Sequence, residues 1–524
     1  MAQFVGTSAG DAFTGGTSND LILGLQGADT LIGGGGNDTI YGGQGDDSIT
    51  YGLGGGNSGS VLVFGNEGAD TIVSAGSSGR NTITGGNDSA DGADLIDARL
   101  DTGADLILGN GGMDTIFLGT VPQGGLFTFA NSVVGGYGTD LITANGGSSL
   151  ILGNQGNDSI VLSGGANTVY GGQDNDLIND SVAGNDMIFG NQGADSISVA
   201  GGNNTVVGGD DSTDGADLIQ IGAGAGTDFV LGNGGNDTLD ASAQVTANTN
   251  YTDTLVGGFG DDSILAGNGT NDFIFGNQGN DTIQLGVNQG VDTVYGGTGD
   301  DVITNRGNGG KAIVYGSEGN DIVNLVADTS AVTIYGGVDS VGSGDGINSL
   351  VGGTVNDFIF GGSGADTIIG GTGADTMRGG AGADVFRSFG GTTGTTSDSY
   401  TGTGTTIVTD SITDLNTTQG DKLSIRAGTA AAQGANVTIT TVGAGVINED
   451  NANVNSLQAA ANAAVMGVES QQNTMTNTAA VFSYQNNTYV VADIDGTAGF
   501  AGDGGDYLVK VTGFTGTIDK TTFV

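Results

Sequence analysis

From Gly361 the chain reads GGSGADTII, from Gly370 GGTGADTMR and from Gly379 GGAGADVFR. The three stretches abut at a period of nine and share G-G-x-G-x-D, then one residue, then a large apolar one. The same octet recurs upstream: GGGGNDTI at 33–40, GGQGDDSI at 42–49, GNEGADTI at 65–72 and GNQGNDSI at 153–160. It continues as GGFGDDSI at 257–264, GNQGNDTI at 276–283 and GGTGDDVI at 296–303. A unit this short cannot bury a core alone, so copies must stack and share one. The glycines permit a tight turn with positive φ and close backbone approach. The residue pair after each Asp reads as a short strand that sends one large apolar side chain inward. Stacked strands of this kind build parallel sheets that advance about 4.8 Å per coil.

Composition agrees and excludes much else. The chain has 524 residues with 108 Gly, a single Pro (Pro122) and no Cys, His or Trp. Gly and Asp are poor helix formers, and Gly lacks the strict third-position period of collagen. Without His or Cys there is no zinc site of the usual kind and no Ser-His-Asp or Cys-His nucleophile. Acids outnumber bases 58 to 10, for a formal charge of −48. That balance argues against nucleic acid, which needs a basic footprint, and against bare anionic lipid. Charge and Gly alone would suggest disorder, yet 36% of residues are apolar and fall in regularly spaced clusters. A repeat protein whose acids are neutralised by something reconciles the two. No apolar run approaches a membrane span, and the first residues lack the basic and apolar regions of a cleaved leader.

The consensus G-[GN]-x-G-x-D-x-[ILV] resembles the RTX (haemolysin-type) nonapeptide, a calcium-binding repeat, over roughly residues 10–390. The resemblance implies a right-handed parallel β-roll or β-helix, all-β, with two nonapeptides per coil. It also implies multiple Ca²⁺ ions, each between one turn and the turn stacked on it. Hard oxygen donors from carboxylates and turn carbonyls suit that ion. Full motifs stacked on full motifs give Asp29, Asp38, Asp47, Asp366, Asp375 and Asp384 as candidate ligands. A further row comprises Asp70, Asp94, Asp114, Asp140, Asp158, Asp176, Asp195, Asp217, Asp237, Asp262, Asp281, Asp301, Asp321 and Asp357. Departures from the motif weaken some positions: Ser18 before Asp20, Asp174 before Asp176, Val355 before Asp357, and Asn348 in place of an Asp.

Spacing adds a second layer. Only the first and last units recur every nine residues; between them motifs lie roughly 18 to 26 apart. One full turn per coil is therefore expected, opposite a degenerate turn such as SSGRNTI (77–83), SGGANTV (163–169) or AGGNNTV (200–206). Calcium would form one row along one edge, with stacked Asn, Ser and Thr holding the other. A block of six coils also repeats, at 109–231 and 232–352, with expanded turns at 85–96, 208–219 and 336–350 and insertions at 117–131 and 240–252. The insertions are either a by-product of duplication or lateral contacts at intervals of about 29 Å. The aromatics Tyr41, Phe64, Tyr170, Phe189, Phe275, Tyr295, Tyr315, Tyr335 and Phe360 each precede a Gly pair. They read as sheet-face packing, with a carbohydrate-stacking stripe as the alternative.

Residues 1–390 are thus expected to form the roll, 391–409 a Thr/Gly/Ser-rich linker and 410–524 a mainly β C-terminal domain. That domain has one Ala-rich helix at 453–467. Asp493 and Asp503–Asp506 offer either a further ion site or a solvated loop. The tail resembles the C-terminal region of surface proteins exported by type I systems in cyanobacteria, including oscillin-like fibril proteins. That resemblance implies a secreted, extracellular or cell-surface protein of a Gram-negative-type bacterium, with an uncleaved C-terminal signal. The expected partners are the type I secretion machinery, further copies of the chain in a layer or filament, and outer-membrane polysaccharide. A monomeric adhesin or a glycan- or ice-binding solenoid is the second reading, and a polysaccharide-active enzyme the third.

Overall fold

The computed structural model describes residues 3–52, 59–119, 131–224, 226–244, 251–268, 271–287, 290–307, 309–337, 344–389, 410–426, 441–444, 457–472, 478–485, 487–493, 506–518 and 520–523. The chain forms two compact units, Met1–Ser263 and Ile264–Val524. Both are built on a parallel β-solenoid, and the described residues are all-β apart from one α-helix and a short 3₁₀ turn.

In the first unit the chain alternates between two parallel sheets. One contains Leu21–Gln26, Thr39–Gln44, Leu62–Glu67, Thr82–Gly86, Leu106–Gly111 and their successors. The other contains Thr30–Ile32, Ser48–Tyr51, Thr71–Ser74, Leu95–Ala98, Thr115–Leu118 and theirs. Register follows from the motif: Ile22, Ile40, Val63, Ile83, Ile107, Val133 and Ile151 stand in one column. Leu31, Ile49, Ile72, Ile96, Ile116, Ile142 and Ile160 stand in the facing one. Every one of these side chains is buried completely. A shift of one residue would turn the apolar column outward, so register is tightly specified. The core is a file of β-branched and Leu side chains from each sheet, with a second inward position on the Thr71–Ser74 sheet filled by residues such as Leu118 and Leu162.

The second unit repeats the scheme. Phe273–Gln278, Val291–Thr298 and Lys311–Glu318 pair in parallel, opposite Thr282–Leu285, Val302–Asn305 and Ile322–Asn324. Asp410–Ile412 pairs with Thr376–Gly380, and Lys422–Arg426 with Val385–Phe389. Residues read from the sequence as the start of the tail thus continue both ladders. Asp506–Val511 joins Asp410–Ile412 and begins an antiparallel sheet with Asn487–Asp493 and Thr478–Tyr484. The helix runs Leu457–Gln472, extending past the expected end at 467, and residues 453–456 of the expected span lie outside the described residues. Its Ala460, Ala461, Ala464 and Val465 pack on Ala480, Phe482, Tyr489, Val491 and Leu508. Small side chains let helix and sheet approach closely, which is why this segment is Ala-rich. The 391–409 linker, most of the two insertions and Asp503 lie outside the described residues.

The aromatics pack on each other. Tyr41 stacks on Phe64 with centroids 4.8 Å apart and Tyr170 on Phe189 at 4.9 Å. In the second unit Phe275, Tyr295, Tyr315 and Tyr335 form a continuous stack at 4.7–5.3 Å. Their spacing is the inter-strand distance, so the sheet itself imposes it.

Candidate metal centre

Each repeat Asp is the last residue of a turn and enters the next strand. In the first unit the backbone N–H of Asp11 donates to Asp29 Oδ1 at 2.6 Å. The same step recurs from Asp29 to Asp47, Asp70, Asp94, Asp114 and Asp140, each at 2.8 Å. It continues through Asp158, Asp176, Asp195, Asp217, Asp237 and Asp262 at 2.7–2.8 Å. Every described coil of this edge therefore presents a carboxylate, and each carboxylate uses one oxygen to hold the coil before it. The second unit carries the ladder Asp281, Asp301, Asp321, Asn348, Asp366, Asp384 and Asp421. Asn348 holds its place through the amide oxygen, so replacement of the expected Asp preserves the coil contact and removes the charge.

The second oxygen is different. Oδ2 of Asp29, Asp47, Asp70, Asp94, Asp114, Asp140, Asp158, Asp176, Asp195, Asp217 and Asp237 is buried and accepts no hydrogen bond. The same holds for Asp38, Asp301, Asp321, Asp366, Asp375 and Asp384. A buried carboxylate oxygen with no donor is costly unless a cation meets it. These oxygens point at the first glycine of their own turn. A Cβ on Gly153 would lie 2.2 Å from Asp158 Oδ2 and 2.4 Å from the Gly171 carbonyl oxygen of the next coil. Gly65, Gly109, Gly190 and Gly232 have the same surroundings. Glycine stands at this position because two oxygens of different coils converge there, leaving no room for a side chain. The next position lies in the left-handed region, which explains the G-[GN] alternation: Gly136 has φ 126°, Asn154 φ 82°. Asp174, which replaces the fourth-position Gly, adopts φ 73° and keeps its turn.

Burial dominates the electrostatics. Asp94, Asp158, Asp217 and Asp301 are pushed up to about 8 by desolvation, with neighbouring carboxylates adding to the rise. Asp70, Asp140 and Asp366 rise to about 7 for the same first reason. Unit charges one coil apart repel by about 3.5 kcal/mol at an effective dielectric of 20. The ion pairs Arg99–Asp97 and Arg378–Asp414 sit outside the ladders and do not relieve this. Among the described residues no three acidic side chains converge on one point. The donors are one carboxylate per turn plus backbone carbonyls, a hard all-oxygen set that suits Ca²⁺.

The opposite edge departs from expectation in part. Nine residues are half a coil, so Asp38 ladders with Asp20 rather than with Asp29 or Asp47. In the second unit Asp357 ladders with Asp375 and Asp410, not with the Asp281 row. Its Oδ2 also accepts the Gly353 N–H at 2.6 Å. Asp357 is thus misplaced in a single row, and it lacks the bare oxygen of the others. Asn81, Asn167 and Asn204 hold neighbouring coils as expected, accepting from Val61, Ser149 and Asp186. Asp105, Asp186, Asp228 and Asp253 share this edge and were not singled out in the sequence. Their T-G-A-D, A-G-N-D, A-G-T-D and N-Y-T-D contexts lack the leading glycine pair. At the position of that first glycine stand buried Ala98, Leu118, Ala144, Leu162, Val199, Ile221 and Ala241. Apolar side chains fill the space that glycine leaves open on the first edge. Asp101, buried here, is satisfied by Tyr51 OH at 2.6 Å, by Asn81 and by the Ser77 N–H.

The expanded turns at 85–96 and 208–219 have a shared device. Asp91 Oδ1 accepts the Gly68 N–H at 2.9 Å and Asp214 Oδ1 the Gly193 N–H at 2.8 Å. In ordinary turns a backbone carbonyl does this, as Glu67 does for Gly45. The extra Asp replaces a carbonyl that the longer turn displaces.

A parallel β-solenoid with a glycine-walled file of buried, half-satisfied carboxylates defines a metal-binding repeat protein. A family model, the RTX calcium-binding nonapeptide repeat, matches residues 5–38, 14–49, 56–76, 127–160, 144–178, 180–214, 211–244, 248–283, 287–323, 342–377 and 351–386. These matches cover more than half of the chain, which belongs to this calcium-binding repeat family. No curated protein matches it. RTX repeats are typical of secreted proteins, and no catalytic family is indicated. Among the described residues no helix is long and apolar enough to cross a membrane.

Proposed function

We propose that this chain is a structural protein of the cell surface that folds when it meets extracellular calcium and then assembles with further copies of itself. The observation that carries the calcium dependence is the file of buried Oδ2 atoms, each beside a glycine and a carbonyl of the next coil. In the calcium-poor cytoplasm these carboxylates repel and the solenoid is disfavoured, which suits export through a type I system. At millimolar Ca²⁺ the ions stabilise the folded state by mass action. Several ions bind, in each unit along the edge where glycine precedes every Asp. A structural role is supported by the share of the chain given to one repeated element.

Negative-stain electron microscopy of the purified chain, first in EDTA and then in millimolar Ca²⁺, tests this. Sheets or filaments that form only with calcium are the expected result. Isolated rods would favour a monomeric adhesin, for which the stacked aromatics of the second unit are the specific surface feature. Outer-membrane polysaccharide is the proposed anchor.

A further inference from the structure

In the sheet that holds Leu21–Gln26, the first outward position of successive strands alternates between a large apolar residue and Ser or Thr. Leu21, Leu62, Leu106, Leu150, Met187 and Phe229 alternate in register with Thr39, Thr82, Ser132, Thr168, Thr205 and Thr254. The large members from Leu62 to Phe229 are 37–45% exposed. Beside them runs a second outward column, from Leu23 to Val256, made of Leu, Val, Phe and Tyr with the single exception of Thr84. No residue of either column is charged, in a chain whose formal charge is −48.

The facing sheet is different. Its outward positions include Asp97, Asn179, Gln220 and Asp240, and Arg99 pairs with Asp97, as suits a face left to water. Parallel sheets are ordinarily covered on both faces, and a contiguous apolar patch of this size marks an interaction surface. The patch spans twelve strands of the first unit, from Leu21–Gln26 to Thr254–Phe259. At about 4.8 Å per strand and about 3.3 Å per residue over five residues, it covers roughly 900 Å². A stable pairing needs about 800 Å² from each partner.

The alternation says what covers it. Large side chains recur every second coil, at intervals of about 9.6 Å, and each Ser or Thr between them leaves a gap of the same period. A second copy of the face, offset by one coil, sets its large side chains over those gaps. The face is therefore self-complementary, as an isologous interface requires, and pairing through these two columns buries no charge. We propose that the chain pairs with a second copy of itself through this face of the first unit. The pairing rests on the calcium-folded assembly proposed above and names the surface that the assembly uses.

Sedimentation velocity of the full-length chain in millimolar Ca²⁺ tests this, with folding followed by circular dichroism on the same samples. Wild type is compared with L106K/L150K, with the milder L106T/L150T, and with L177K, which puts the same charge at exposed Leu177 of the facing sheet. Wild type and L177K should sediment as dimers or larger species. Both face variants should keep their β signal and self-associate at least roughly tenfold more weakly, as loss of Leu side chains from an interface implies. If the Lys variant does not fold, L106T/L150T decides alone, since Thr is what neighbouring strands carry in that column. Undiminished association in folded face variants overturns this face and leaves assembly through another surface standing. Equal weakening in L177K also overturns it. A wild-type chain that folds with calcium and stays monomeric overturns both this pairing and the self-assembly proposed above. A wild-type chain that stays unfolded in calcium overturns the calcium reading, and this pairing with it.

Discussion

Gly153 and Asp158 show how a single position is set by two coils at once. Gly153 needs space rather than an unusual φ, since a methyl group would strike Asp158 Oδ2 and the Gly171 carbonyl. G153A is therefore expected to cost about 1–3 kcal/mol through overpacking and to raise the calcium midpoint. A calcium titration followed by circular dichroism measures the second effect. Tyr51 presents the opposite case, in which protein donors take the place of a cation. Its hydroxyl donates to buried Asp101, so Y51F should lower stability by about 2 kcal/mol. Because no ion is involved, the loss should be equal at low and high calcium in the folded range, as thermal melts at two concentrations would show. The first case was legible in the sequence, because G-[GN]-x-G-x-D names both partners. The second was not: Tyr51 and Asp101 lie fifty residues apart, and only the stacking of coils brings them together.

Among elements, the two edges of a coil differ by what stands at one position. Glycine there leaves a cradle of oxygens, whereas Leu162 or Val199 leaves none. L162A should open a cavity costing about 2–5 kcal/mol, without changing the number of ions bound. Urea denaturation and calcium counting of the same variant separate the two. The degenerate spacing in the sequence already indicated that one turn per coil departs from the motif. It also put stacked Asn on that edge, where Asn81, Asn167 and Asn204 are rungs. What it missed are the Asp rungs of that edge, since Asp105 and Asp228 lack the glycine pair used to recognise the motif. The helix was recognisable from its alanines, but which of them meet Phe482 and Leu508 depended on the tertiary packing.

For the whole molecule, charge decides when the fold exists. Carboxylates such as Asp94, Asp158 and Asp217 rise from an ordinary value near 4 to about 8 on folding without a cation. The folded state then binds more protons than the unfolded one, so stability falls with rising pH across this window. It is fully present below about pH 4 and lost as pH passes through the folded values, from about 6 to 8. In EDTA the β signal at pH 5 should therefore exceed that at pH 8.5. With calcium the dependence should reverse, since protons compete for the ligand oxygens, and the calcium midpoint should rise as pH falls. Circular dichroism across pH, with and without the ion, checks both signs. A spectrum insensitive to calcium at pH 8.5 would remove the basis for the metal row.

The sequence by itself determined the coil, the inward apolar column and the identity of most first-edge carboxylates. All of these follow from a local period, since the residues that make a turn and its strand lie within nine positions of each other. Only the tertiary structure decided which edge each Asp occupies, as with Asp38 and Asp357, and which carboxylates are satisfied by protein. Those properties depend on contacts between successive coils, whose separation in sequence varies from 18 to 37 residues with each insertion. A local pattern cannot encode a partner at a variable distance, but parallel stacking places it within one strand spacing.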